Sequence, residues 1–343
     1  MKLRFLSLLL IFFCLSTSAK NTALLVGIGN YAPESGWGKL SSASDIALLQ
    51  NTFPKSFEIN TLIDQQATHK NIIATIKNLI KKCGDGDTVF IHFSSHGQQM
   101  LTDAPDETDH LDEALIPYDA PMKKSKSYHG ENHLTDNEFG SLIDQLRLKV
   151  GENGLVIVTL DACYSDSMNK GDNDDPKEDD VVFRGGADIF GSNEISQDSL
   201  DKIVRQRREK DLILIEKIKN GADIILISAC LSFQKNYEFT IDGKSYGSLS
   251  YSVAKSLSDN GLQNLIQWID GVMDIMGQKA FRQIPQIRTT LDYDNKTRKT
   301  VSNQASQSTL RSQDNDSFSL ETIIISVAIL LIIIVLWKVI MKK

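Results

Sequence analysis

Two side chains are placed to share one reaction. Cys163 lies three residues past the apolar run that ends at Leu160, in "TLDACYSDSM", and His96 lies three residues past Phe93, in "HFSSHGQQM". A thiol becomes a nucleophile when a neighbouring base takes its proton, and imidazole is the side chain best suited to that near neutral pH. Alone, either residue at a strand end reads as packing, and a cysteine there is equally half of a disulfide or a metal ligand. Together, behind two apolar runs, they read as a thiol–imidazole pair. Gly97, beside His96, leaves room for a close backbone approach and offers its N–H to a developing oxyanion.

Asp161 precedes Cys163 by two residues, so in an extended chain both point the same way. A carboxylate beside a thiol raises the thiol's pKa, so it does not activate it. Two roles remain open: holding a cationic group of a substrate, or capping a following helix. Ser94, two residues before His96, shares the parity and would line the same pocket.

For Cys163 and His96 to meet, their strands must be neighbours. Strands are expected at Ala23–Ile28, Phe57–Leu62, Thr88–Phe93, Leu155–Leu160 and Ile224–Ser228, and helices at Ser42–Thr52, Thr68–Lys82, Asp136–Leu148, Leu200–Ile218, Leu249–Ser256 and Leu262–Lys279. Strands that are apolar throughout and separated by helices predict an α/β fold, a mostly parallel sheet with helices on both faces. Working residues in such sheets gather past the C-terminal strand ends. "GIGNY", after the first strand, has only Gly27 and Gly29 and no helix start, so it is not a dinucleotide fingerprint. Asp103–Pro121 and Asp166–Gly186 read as long loops.

The ends have their own patterns. Residues 1–19 show two basic residues, an apolar run and a small-residue finish at Ala19, the pattern of a secretory signal peptide. Residues 322–341 form an apolar stretch of about 20 residues, about 30 Å as a helix, matching one hydrocarbon thickness. Trp337 suits the interface, and Lys342 and Lys343 form a short cytoplasmic tail. Residues 295–321 are rich in Ser, Asn, Gln and Thr and read as a flexible stalk. The expected body, residues 20–294, therefore lies outside the cytoplasmic membrane, periplasmic or extracellular, tethered by a single span.

Net charge of −7 argues against nucleic acid as a partner. Past the leader the cysteines are Cys83, Cys163 and Cys230, too few and too widely spaced for a disulfide scaffold or a structural metal site. Cys83 and Cys230 read as buried thiols or as one disulfide. His69, His110, His129 and His133 read as surface residues. His92 and His96 are four apart but lie on a strand and its end, without the glutamate of a zinc-protease helix.

Taken in order, several stretches resemble the metacaspases. "HFSSHGQQ" is similar to their histidine motif and "DACYSD" to their cysteine motif. "DETDHLDEALIPYD" resembles their acidic stretch, "ISACLSFQKNYE" a later segment and "RQIPQI" their closing stretch. The likeness covers about residues 22–287. It implies a caspase-like (caspase-hemoglobinase) fold and a cysteine endopeptidase with Cys163 as nucleophile and His96 as general base. It implies cleavage of protein or peptide substrates after Arg or Lys, with Asp45, Ser94 and Asp161 binding the basic side chain. It also implies calcium as an activator, held by Asp112, Asp136 and Asn137, with Asp172 after the cysteine; the chemistry itself needs no cofactor. Self-cleavage is implied in the loop after the cysteine, where Lys170, Arg184, Arg205, Arg207 and Arg208 are the candidate sites. The sequence departs from the motifs at Ser95, Tyr164 and Asp166. Tyr164 and Asp166 flank the nucleophile, and their bulk and charge are expected to reshape the oxyanion hole. Two alternatives stand beside this: a catalytically weak caspase-like module that binds a partner at the membrane, and a protease with acidic preference.

Overall fold

A computed structural model describes residues 19–103, 110–164, 182–186, 188–206, 215–231, 234–278 and 283–293. The apolar runs pair side by side. β1 (Asn21–Gly27) lies between β2 (Phe57–Ile63) and β3 (Thr88–Ser94), β3 pairs with β7 (Leu155–Asp161), and β7 with β8 (Asp223–Ser228), all in parallel. β11 (Gln286–Thr289) closes the β8 edge antiparallel, giving the order β11-β8-β7-β3-β1-β2. The expected neighbourhood of β3 and β7 is present, with Ser94 opposite Asp161.

The two-residue alternation of the strands divides the core. Leu24, Val26, Val89, Ile91, Val156 and Val158 face α2 (His69–Lys82) and α3 (Asp136–Val150). Ala23, Leu25, Phe90, Ile157 and Ile225 face α1 (Ser42–Thr52), α5 (Ser248–Asn260) and α6 (Leu265–Gln278), where Trp268 is fully buried. Strands covered on both faces gain from being apolar at every position. Thr68 caps α2, its Oγ1 accepting the Asn71 N–H at 3.2 Å.

Three expectations need correction, and one hairpin is new. The helix expected to run to Ile218 is α4, Gln197–Gln206; residues 215–218 are irregular, and the buried Arg147 guanidinium donates to the Glu216 carbonyl there. The acidic stretch is not all loop: β4 (Gly97–Leu101), β5 (Leu111–Leu115) and β6 (Leu134–Thr135) make a small antiparallel sheet. A hairpin of β9 (Glu238–Ile241) and β10 (Lys244–Gly247) turns at Asp242-Gly243, both at positive φ. Asp-Gly is a hairpin signal, in a stretch between Ser228 and Leu249 where no element was expected. His133 is buried, not on the surface, with Nδ1 2.7 Å from the Tyr128 hydroxyl and Nε2 3.0 Å from Gln98 Oε1.

Cys83, Cys163 and Cys230 are all free and buried, which removes the disulfide alternative. Among the described residues no helix is long and apolar enough to cross a membrane. Residues 1–18 and 294–343, with the expected leader, stalk and span, lie outside the described residues. So do Asp166, Lys170, Asp172, Arg207 and Arg208.

Candidate active site

β3 and β7 end side by side, and the chain past each turns toward the other. Ser95 N–H donates to the Asp161 carbonyl at 3.3 Å. At Gly97 the two backbones touch: a Cβ there would sit 2.6 Å from the Cys163 carbonyl oxygen, so no other residue fits without displacement. His96 and Cys163 thus share one sheet edge, 4% and 1% exposed.

His96 is fixed on every side. Its ring stacks on Trp37 at 4.9 Å and 26°, and its backbone N–H donates to the Tyr31 hydroxyl at 3.0 Å. Nε2 lies 3.0 Å from the Gly38 carbonyl, which only accepts, so Nε2 carries the proton. Burial, with the Arg184 charge adding to it against the Gly38 contact, pushes the imidazole down to about 4. The ring is therefore neutral near pH 7. Its Nδ1 is a lone pair with no hydrogen-bond partner, free to take a proton.

Cys163 donates its thiol to the Gln234 carbonyl at 3.0 Å. Its backbone N–H donates to the Arg184 carbonyl at 3.1 Å, and the Gly97 N–H donates to the same oxygen at 3.0 Å. Two amide donors converging on one carbonyl form an oxyanion-hole geometry. The buried Tyr164 ring lies against Gly97, where a Cβ would sit 3.1 Å from its edge, and burial raises its hydroxyl pKa well above the ordinary value. Its bulk thus borders the donor at Gly97.

The carbonyl in that position belongs to a strap, residues 182–186, laid across the site like a strand. Arg184 N–H donates to the Asn236 carbonyl, Glu238 N–H to the Val182 carbonyl and Gly186 N–H to the Gly97 carbonyl, each at 3.0 Å. Phe183 packs on Tyr237 with ring centroids 4.8 Å apart.

The Arg184 side chain enters a fully buried pocket containing Asp45, Ser94 and Asp161, the three residues expected to bind a basic group. Nη2 donates to Asp45 Oδ2 at 2.7 Å and to Glu238 Oε1 at 2.8 Å; Nη1 donates to Ser94 Oγ at 2.7 Å and to the Asp161 carbonyl at 3.3 Å. The Asp161 carboxylate stands 3.9 Å from Nε and accepts instead from Asn236 Nδ2, Ser250 N–H and Ser250 Oγ. A side chain at Gly247 would collide with the Asp161 carboxylate and the guanidinium, so glycine opens this wall. Burial pushes Asp45 up to about 6 against the opposing pull of Arg184. Burial also pushes Asp161 up, but the Arg184 charge and the Asn236 and Ser250 hydrogen bonds outweigh it, leaving its pKa below the ordinary value. Glu238 was missed in the sequence because it stands on a short hairpin strand. Gln283 was missed too: its Nε2 donates to Asn236 Oδ1 at 2.9 Å and to Ser248 Oγ at 2.7 Å, bracing the pocket from behind. Of the candidate cleavage positions among the described residues, Arg184 is seated here and Arg205 lies on α4.

The calcium candidates are less closely gathered. Ala114 pairs with Thr135, so Asp112, just before, and Asp136 and Asn137, just after, come to one end of the β5–β6 pair. Asp112 Oδ1 is buried without a hydrogen-bond partner, the kind of oxygen a cation would satisfy. Among the described residues no three His, Cys, Asp or Glu side chains form a metal-binding group.

Residues 20–295 match the family model described as "Caspase domain". Curated relatives include Metacaspase-1 of Mycosarcoma maydis, 24% identical over 301 residues, which cover 80% of this chain and 71% of that protein. Metacaspase-1 of Schizosaccharomyces pombe is 24% identical over 249 residues, covering 66% of this chain and 56% of that one. The chain thus spans between about half and three-quarters of their length. Protein GSU0716 of Geobacter sulfurreducens, a solved structure, superposes with a TM-score of 0.51 at 21% identity, covering 80% of this chain and 95% of that one. That likeness concerns the fold.

Proposed function

The chain belongs to the caspase-domain family of cysteine peptidases, and on that premise we propose that it cuts peptide bonds after Arg or Lys with Cys163 and His96 as its dyad. One observation carries the proposal: the protein's own Arg184 is seated as a substrate residue would be. Its guanidinium meets Asp45, Glu238 and Ser94, and its carbonyl accepts from the Gly97 and Cys163 amides.

In this mechanism His96 Nδ1 takes the thiol proton and the sulfur adds to the carbonyl carbon. The oxyanion keeps the two amide donors, each worth about 10²–10³ in rate in comparable sites. His96 then returns the proton to the leaving amine, and water, activated by the same nitrogen, hydrolyses the thioester. A carboxylate-lined pocket repels an acidic side chain, which disfavours the acidic-preference alternative.

The test is a panel of Arg-, Lys- and Asp-ending fluorogenic peptides, with and without calcium. Turnover of Arg and Lys peptides is expected and of Asp peptides is not. Turnover of none sinks the peptidase reading in favour of a binding module, and turnover of the Asp peptide alone sinks the pocket assignment. Calcium activation at Asp112, Asp136 and Asn137 is part of the proposal, supported by the unpartnered Asp112 oxygen. Bound there, the ion would neutralise the acidic cluster; equal rates with and without calcium would remove it.

The seated Arg184 also supports self-cleavage of the Arg184–Gly185 bond. The uncut strap fills the pocket and leaves Cys163 buried, so the uncut chain is expected to turn over peptides only after a lag. Arg184→Gln should abolish cleavage at this bond and remove the lag, because the neutral side chain no longer holds the strap down. N-terminal sequencing that finds no chain starting at Gly185 would reject the assignment.

Tethering of the body outside the cytoplasmic membrane is likewise proposed, on the apolar run 322–341. Alkaline carbonate extraction should leave the full chain in the membrane pellet; release into the supernatant would overturn it.

A further inference from the structure

A second thiol stands beside the first. Cys230, just past the end of β8, donates to the Gln234 carbonyl at 3.4 Å, the same oxygen that Cys163 approaches to 3.0 Å. It also points at the Ala162 carbonyl, 3.9 Å away, and the shared Gln234 oxygen brings the two thiols to one place. Neither is in a disulfide, and they are 1% and 2% exposed. β7 and β8 are paired neighbours, with Ala229 N–H donating to the Leu160 carbonyl at 3.0 Å just before Cys230. Continued past the strand ends, that register sets Cys230 opposite Ala162, one residue from Cys163, across strands spaced about 4.8 Å, within the Cα separation that disulfides span. Nothing in the proposed hydrolysis uses Cys230.

We propose that Cys163 and Cys230 form a reversible disulfide when the protein meets hydrogen peroxide, and that this bond is a redox off-state of the site. The proposal rests on Cys163 being the nucleophile. The Cys163 thiolate attacks one peroxide oxygen, the O–O bond breaks, and the leaving hydroxide takes a proton to become water. The sulfur is then a sulfenic acid, oxidised by two electrons. The Cys230 sulfur attacks it, the S–O bond breaks, and the departing hydroxide takes the Cys230 proton to leave as a second water. The balance is two thiols and one peroxide to one disulfide and two waters. Cys163 has the proposed base, His96, at its own sheet edge, which assigns it the first step and leaves the resolving step to Cys230. The bond takes the sulfur away from both the base and the substrate carbonyl. It also shields Cys163 from irreversible sulfinic oxidation, because the resolving thiol is already beside it.

The test treats the full chain with hydrogen peroxide and maps peptides without reduction by mass spectrometry. A Cys163–Cys230 linked peptide, lighter by two hydrogens, is expected, while Cys83, in the apolar core at the end of α2, stays a thiol. Dithiothreitol should separate the peptides and restore Arg-peptide turnover. In Cys230→Ala, peroxide should carry Cys163 to the sulfinic acid, and dithiothreitol should restore nothing. Cys163 sulfinate in the wild type without the linked peptide would overturn the proposal, as would full recovery of Cys230→Ala. If that variant does not fold, the wild-type map decides alone. A linked peptide from a protein that hydrolyses no peptide supports the bond and sinks the peptidase reading. Hydrolysis without a linked peptide sinks the bond alone.

Discussion

Cys163→Ala is expected to lower kcat/KM for Arg-ending peptides by about 10⁴-fold or more and to leave the chain uncut at Arg184. Residues acting as one catalytic unit lose nearly everything when the nucleophile goes, leaving what binding and the oxyanion donors supply. The fold should tolerate the change. The thiol donates to the Gln234 carbonyl, while the backbone donors at Gly97 and Cys163 need no side chain. The variant should therefore melt within a few degrees of the wild type while its strap stays seated. Peptide turnover within tenfold of the wild type would remove Cys163 from the chemistry.

Asp45→Asn should have the second largest effect, on binding. Asp45 Oδ2 accepts from both Ser94 Oγ and Arg184 Nη2, and Oδ1 accepts from the Gly247 N–H. Asparagine has the same shape but must turn its NH₂ toward one of these donors. Breaking one partner of a buried ion pair costs about 3–5 kcal/mol, or about 10²–10³ or more in kcat/KM for Arg substrates, carried by KM. The pH profile gives an independent sign. A carboxyl raised to about 6 is ionised above that pH and loses its charge as the pH falls through it. Wild-type kcat/KM for Arg peptides should thus decline on acidification below about 6, and Asp45→Asn should lack that limb. An unchanged KM would show that Glu238 and Asp161 hold the guanidinium without Asp45.

The central sheet was legible because apolar strands covered on both faces write themselves as unbroken runs, and α1 matches its expected span, Ser42–Thr52. The pairing of β3 with β7 followed from placing reactive residues past their ends. Asp161 and Ser94 were readable by parity, since strand side chains alternate. Trp37 and Gly38 were not readable, and Asn236, Glu238 and Gln283, though inside the motif-like stretches "ISACLSFQKNYE" and "RQIPQI", carried no readable role. They sit in loops and a short hairpin, reach the site through contacts distant in sequence, and carry no period. Arg184 was legible as one candidate cleavage site among several; its place in the pocket depends on the strap's backbone pairing with Asn236 and Glu238, which no local pattern announces.

The adjacency of β7 and β8 has a mechanical consequence for a chain cut after Arg184. One product would carry β1 to β7 and the other β8 to β11, yet the seam runs through the middle of the sheet. β8 remains hydrogen-bonded along β7, and Ile46 and Leu49 of α1 share one apolar cluster with Leu249 and Val253 of α5. Cutting would yield a tight heterodimer of fragments rather than two separate pieces. Folding, unimolecular in the intact chain, would become an association, and the melting temperature would then depend on concentration.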